Sequence, residues 1–270
     1  MEIMTSPTIS IVTGATGAIG QAIAQGLAAA GHTVVLACRN EQKARRSLEE
    51  IRKASGCPSD AVRYELLDLG CKAEIDAFAA RWEGPLHVLV NCAAIAPRQR
   101  EETPAGIERQ LAVNVLSYCW MIDAFTPHLK AGAPARVVNV ASYWAGGLDL
   151  DDLEFRRRAY DNDAAYRQAK QANRMLSTAY AERLAPLGIT VNACHPGDVR
   201  SQLSSDLGFG GHESPEEGAA TPVWLATEPV GARETGKYFE HQRESPCRFS
   251  QNAQAVEALW KVCAGYSSKA

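Results

Sequence analysis

Short apolar runs rich in β-branched residues alternate along the chain with longer segments whose apolar positions recur every three or four residues. The runs predict strands at Thr8 to Thr13, Thr33 to Cys38, Ala61 to Leu66, Leu86 to Asn91, Ala135 to Val140, Thr190 to His195 and Lys237 to Phe239. The intervening segments predict helices at Gly20 to Ala30, Glu41 to Ala54, Lys72 to Trp82, Gly106 to Leu129 and Ala164 to Leu187. Apolar β-branched runs alternating with helical segments are the pattern of repeated βαβ units and a buried parallel sheet. The expected fold class is α/β: a single doubly wound parallel sheet of about seven strands with helices on both faces.

Two stretches break the alternation. From Ala145 to Asp163 the chain carries Leu-Asp-Leu-Asp-Asp-Leu-Glu and then Arg156, Arg157 and Arg158, while residues 201–217 are rich in Ser, Gly and Glu. Either stretch reads as a solvated surface loop. Each also follows a predicted strand at its carboxyl end, where open α/β sheets bind ligands, so the pair reads equally as a substrate rim (145–163) and a lid (201–217). No repeat or linker divides residues 1–270, which are expected to form one domain, and the leader Met1 to Pro7 is too short for a targeting peptide.

Composition narrows the picture. The 270 residues are 46% hydrophobic and 22% charged with a net charge of -3, which suits a globular protein and gives no basic field for nucleic acid. The eight cysteines form no Cys-x-x-Cys pair and no cluster with histidine at zinc spacing, so they read as reduced core thiols, and no metal is expected. No run reaches the length of a membrane span. A cytoplasmic protein is expected.

The first predicted strand leads into Thr13-Gly14-Ala15-Thr16-Gly17-Ala18-Ile19-Gly20 and a helix. Glycines here permit a tight turn, close approach of a pyrophosphate to backbone amides and close packing of helix on strand, while the helix N-terminus offers free N–H groups to the anion. Read alone, it could be a turn that binds nothing; opening a βαβ series, it reads as the dinucleotide turn of a Rossmann fold. The second strand ends at Cys38-Arg39-Asn40, with no carboxylate to accept from an adenosine ribose. Arg39 would pair with a 2′-phosphate, so NADP(H) is expected over NAD(H), which stays possible; the plain alternative is a surface arginine.

The same order of residues resembles the short-chain dehydrogenase/reductase family from about Ile9 to Phe239. The resemblance rests on the glycine turn, Asp68, Asn91-Cys92-Ala93-Ala94, Asn114, Ser142, Tyr166-x-x-x-Lys170 and Pro196-Gly197. It extends to a retinol-dehydrogenase-like branch through Leu36-Ala37-Cys38-Arg39, Val191-Asn192-Ala193-Cys194-His195-Pro196-Gly197 and Thr235-Gly236-Lys237-Tyr238-Phe239. It implies that Asn114, Ser142, Tyr166 and Lys170 are catalytic, Lys170 also holding the nicotinamide ribose and Asn114 linking it through water to solvent. It further implies that Gly14, Thr16, Gly17, Ala18, Ile19, Gly20, Arg39 and Asn40 hold the cofactor, that Asp68 and Leu69 flank its adenine, and that the backbone near Asn91 and Ala93 lines the cleft. Pro196, Gly197 and Val199 would lie against the nicotinamide, with Ser201 at its carboxamide or phosphates. The branch implies a lipophilic aldehyde, ketone or alcohol as substrate.

The residues themselves support that chemistry. Tyr166 and Lys170 are one helical turn apart, so the ammonium is expected to lower the phenol pKa, and Ser142 can hydrogen-bond the same substrate oxygen. Tyr143 and Trp144 read either as an aromatic wall for an apolar substrate or as plain core, His195 as a packed histidine, and Cys92 as an unactivated thiol. Two departures from the family pattern open other readings. Ala18 replaces its middle glycine, and Ala94 takes a place whose backbone geometry is often given to glycine. These allow a non-catalytic NADP(H)-binding regulator, and the glycine spacing allows an enone reductase or an epimerase. The family resemblance implies a homodimer through the long helices at 106–129 and 164–187, whose apolar faces read equally as core.

Overall fold

The structure, a computed structural model, describes residues 7–267; residues 1–6, and with them nearly all of the short leader, lie outside that range. Strands β1 (Ile9–Thr13), β2 (Thr33–Cys38), β3 (Val62–Leu66), β4 (Val88–Asn91), β5 (Ala135–Val140), β6 (Ile189–Cys194), β7 (Tyr238–Glu240) and β8 (Arg243–Glu244) form one sheet in the order 3-2-1-4-5-6-7-8. All neighbours are parallel except β7 and β8. The seven expected strands are present, with ends shifted by one or two residues. The eighth is a two-residue return after His241 and Gln242, both at positive φ (48° and 58°), too short to leave an apolar run in the sequence.

Alternate residues of each strand face opposite layers. Ile11, Val35, Leu89, Val137 and Val191 pack in one core, and Val12, Leu36, Val90, Val138 and Cys194 in the other. Helices α1 (Ala18–Ala29), α2 (Glu41–Ser55) and α8 (Pro215–Thr227) belong to the second layer; α3 (Lys72–Ala80), α5 (Ser117–Ala131), α6 (Asn162–Leu184) and α10 (Ala253–Tyr266) belong to the first. The short helices α4 (Arg109–Leu111), α7 (Gln202–Asp206) and α9 (Pro229–Arg233) complete the set. Among the described residues no helix is long and apolar enough to cross a membrane.

The structure departs from the sequence expectation in two places. The helix predicted from Gly106 begins only at Arg109, because Gly106 (φ 72°) closes a turn onto Thr103, and it carries a π-helical stretch at Ala112–Leu116. Residues beyond 215 hold α8, α9 and α10, which the sequence pattern missed. In α8 the buried residues are Gly218, Ala219, Thr221, Pro222, Leu225 and Ala226, mostly small or helix-breaking, which give little periodic signal. In the first layer, α10 packs on α5 and α6. Val256, Leu259 and Cys263 are buried with Cys119, Met175 and Leu176; the Cys263 and Cys119 thiols are hydrogen-bonded; and Arg183 pairs with Glu257 while stacking on Trp260.

The acidic stretch after β5 is closely folded. The buried Asp152 carboxylate accepts from the backbone N–H groups of Arg156, Arg157 and Arg158, Phe155 sits at φ 51° under the Arg158 guanidinium, and Glu154 is held by the Glu108 amide and the Tyr266 hydroxyl.

Candidate active site

The strand order reverses between β1 and β4, the place where doubly wound sheets open a crevice at their carboxyl ends. The chain leaves β1 through Gly14 at φ 66°, where a Cβ would lie 2.7 Å from Ala93 Cα. Gly20 packs so closely that its Cβ would be 2.3 Å from the Gly14 oxygen. Glycine is required at both positions, one by conformation and contact and the other by contact alone. Thr13 fixes the neighbouring tip: its Oγ1 accepts from the Cys92 and Ala93 amides at 2.9 and 3.2 Å.

Helix α1 starts in this crevice at Gly17 with no side-chain cap and no acidic residue in its first turn, whereas α2, α6, α8 and α10 are capped by Asn40, Asp161, Ser214 and Asn252. Its first N–H groups and positive dipole end therefore remain for an anion. The residues present fit a dinucleotide pyrophosphate. Ala18 is simply the first helical residue, and Ala94 has no positive φ, so neither alanine strains the turn or the β4 tip. The expectation that Ala94 must adopt glycine geometry is corrected accordingly.

Arg39, Asn40, Asp68 and Leu69 gather at the β2 and β3 end. Arg39 lies 3.6 Å from the Asp68 carboxylate, Asp68 Oδ1 accepts from the Gly70 amide, and the Asn40 side chain caps α2 by accepting from the Lys43 amide. Leu69 turns its side chain into the core, and Asn91 donates to Asn139 inside the sheet, so these two can offer a ligand only their backbone. Both polar backbone atoms of Ala93 are also engaged, its N–H by Thr13 and its oxygen by the Tyr118 hydroxyl at 3.1 Å.

On the other side of the crevice, Ser142 follows β5, and α6 presents Tyr166 and Lys170. Helix α6 starts where Asp161 accepts from the Ala164 amide, which sets the register of both side chains. Ser142 and Tyr166 face the same cavity, and Ser142 Oγ accepts from the Trp144 amide at 3.0 Å. Lys170 is almost fully buried; its Nζ donates to Val140 O at 2.8 Å and lies 5.5 Å from the Tyr166 ring centre.

Burial pushes the Tyr166 phenol up, outweighing the Ser142 hydroxyl, which lowers it, and the Asp198 and Asp163 carboxylates add to the rise. Burial also lowers the Lys170 ammonium to about 8. The phenol therefore stands above its ordinary value, against the expected lowering, because burial sets the direction. Near neutrality the phenol carries the proton that reduction of a carbonyl needs. The π-helical stretch buries Asn114, whose amide exchanges hydrogen bonds of 2.8 Å with the N–H and carbonyl of Ile95; Asn114 thus fixes the backbone after β4.

A cavity of about 580 Å³ opens above Ser142 and Tyr166. Ile19, Pro196, Gly197, Val199 and Ser201 line it, as do Tyr143, Trp144 and Asp163; Leu203, Leu207, Phe209 and His212 close it from the 201–217 segment. Ser201 caps α7 in a reciprocal arrangement with Ser204. Of the 145–163 segment, Asp163 alone reaches the cavity.

His195 packs against Tyr143 with ring centres 4.6 Å apart, and burial lowers it to about 4, while desolvation pushes the Cys92 thiol up to about 12. Neither is poised for proton transfer near neutrality. Sequence reasoning missed Thr13, Tyr118, Asp163, Asp198 and Phe209. Tyr118, four residues after Asn114 on the same helix, bridges the carbonyls of Ala93 and Val140; that spacing was the one available signal.

A family model described as short chain dehydrogenase matches residues 8–208. Retinol dehydrogenase 13 of Mus musculus is 34% identical over 271 residues, covering 93% of this chain and 80% of that protein. Polyprenol dehydrogenase of Mus musculus is 34% identical over 275 residues, covering 93% and 81%. Among solved structures, an uncharacterised protein from Mycobacterium paratuberculosis superposes with a TM-score of 0.80 at 25% identity, covering 97% of this chain and 95% of that one.

Proposed function

From a chain that belongs to the short-chain dehydrogenase/reductase family of oxidoreductases, we propose an enzyme that reduces the carbonyl of an apolar aldehyde or ketone, or oxidises the corresponding alcohol, with NADP(H) preferred and NAD(H) accepted. The observation that carries this reading is that Ser142 and Tyr166 line one cavity side by side, with the buried Lys170 one helical turn beyond Tyr166 and tied to the end of β5.

Bound nicotinamide supplies or accepts the hydride. Tyr166 donates its phenolic proton to the substrate oxygen in reduction and takes it back in oxidation. Ser142 Oγ hydrogen-bonds the same oxygen and stabilises the charge that builds there. The buried Lys170 ammonium favours the phenolate left after the transfer. Thr13, Asn114 and Tyr118 act one layer out, holding the strand tips that carry the site. Apolar substrates suit a cavity walled by Tyr143, Trp144 and Phe209.

The NADP(H) preference rests on Arg39, which is 60% exposed at the β2 tip and free to exchange its weak contact with Asp68 for a phosphate. Loss of NADPH absorbance on mixing the purified protein with apolar aldehydes and ketones tests the reading. Absence of turnover across such a panel, with NADPH bound, would overturn it.

A further inference from the structure

Apolar wall and charge do not match in this cavity. Among the described residues that line it there is no lysine or arginine, yet Asp163 and Asp198 both do. Each carboxylate is fastened to an aromatic ring: Trp144 Nε1 donates to Asp163 at 2.7 Å and the Tyr143 hydroxyl to Asp198 at 3.3 Å. The rings themselves are open, with Tyr143 45% and Trp144 42% exposed, and Phe209 stands 6.4 Å from Trp144. Two aromatic faces, each with a carboxylate held at its edge, add to this apolar wall a place complementary to an organic cation. Trp144 already lies 5.8 Å from one cation, the Arg167 guanidinium, outside the cavity lining.

We propose that the substrate carries, beside its reacting carbonyl and apolar body, a positively charged amine nitrogen that docks against Asp163, Asp198 and the Trp144 and Tyr143 rings. This rests on the carbonyl-reductase reading and names the substrate class of that site. Asp163 precedes Tyr166 by three residues on α6, so the two share a helix face with β-carbons about 5–6 Å apart. The amine therefore sits only a few bonds from the carbonyl.

The test compares two matched aldehydes, para-(trimethylammoniomethyl)benzaldehyde and its neutral isostere para-neopentylbenzaldehyde, each with NADPH. The expected result is a kcat/KM about tenfold or more higher for the cationic aldehyde. That ratio falls towards parity in the Asp163→Asn/Asp198→Asn double variant and falls in Trp144→Leu; any uniform damage cancels in a ratio. Equal or better turnover of the neutral aldehyde by the unaltered protein, or a ratio unchanged in every variant, would overturn the proposal. If neither aldehyde is reduced, the hydride-transfer reading fails, and calorimetric binding of the same pair to the NADPH-loaded protein decides the inference by itself. A preference for the cation that the variants lose upholds it, and no preference, or no binding, overturns it.

Discussion

Lys170 Nζ donates to the carbonyl oxygen of Val140 at 2.8 Å, and Val140 is the last residue of β5, two positions before Ser142. One contact therefore ties α6, which carries Tyr166, to the strand tip that carries Ser142. The Tyr118 hydroxyl reaches the same oxygen at 3.3 Å and spans to Ala93 after β4. The proton-transfer pair is thus registered to the sheet by a lysine and a tyrosine from two helices.

Lys170 should impose a pH dependence on stability. Its folded-state pKa of about 8 lies below the ordinary 10.5, so between those values the unfolded chain holds more protons and stability rises with pH. The penalty is fully present below about pH 8 and relieved towards 10.5. Urea unfolding of cofactor-free protein should show a stability gap in favour of Lys170→Met at pH 7 that narrows across this window. A gap independent of pH would contradict the burial argument.

Removing the Tyr118 hydroxyl leaves Ala93 O without its donor and Val140 O with Lys170 alone. Tyr118→Phe should cost about 1–3 kcal/mol in chemical unfolding, the range for a buried polar group left unpaired. It should also lower turnover severalfold, because the tips of β4 and β5 lose their common tie. Unchanged stability would mean the bridge does not form.

Gly20→Ala places a methyl carbon 2.3 Å from a backbone oxygen that cannot swing away. The expected outcome is a loss of about 1–3 kcal/mol, typical of overpacking, together with weaker NADPH binding as the turn opens. Thermal unfolding and cofactor titration read the two effects separately. A variant as stable and as tight as the parent would show that the turn is not the close-packed unit described.

Exchange of Arg39 for glutamate should invert cofactor choice. A carboxylate at the β2 tip repels a 2′-phosphate and accepts from a ribose hydroxyl, so the ratio of kcat/KM for NADPH over NADH should fall by about tenfold or more, the weight of a charge-assisted contact. An unaltered ratio would return Arg39 to the surface contact it makes with Asp68.

How much of this the sequence disclosed depended on whether a feature was local. The parallel sheet was legible because its strands are short β-branched runs set between helical segments, and the Gly14 to Gly20 turn because a positive φ and a close contact admit little but glycine. Tyr166 and Lys170 were legible from helical spacing, but their electrostatics were not. Spacing suggested a phenol lowered by its neighbour, whereas burial, set by distant parts of the chain, decides the direction. Asp198 and Phe209 reach the cavity through loops after β6, and α10 covers α6 through contacts from the far end of the chain. The Asp152 loop reads as a run of charges, yet its backbone wraps one buried carboxylate.

The central claim is that Tyr166 moves the proton that accompanies hydride transfer. The most direct measurement is NADPH oxidation under saturating carbonyl substrate by the parent protein and by Tyr166→Phe, with NADPH affinity measured alongside by titration. The account predicts a kcat lower by about 100- to 10,000-fold in the variant, with NADPH affinity retained within a few-fold. Turnover retained by Tyr166→Phe would contradict it.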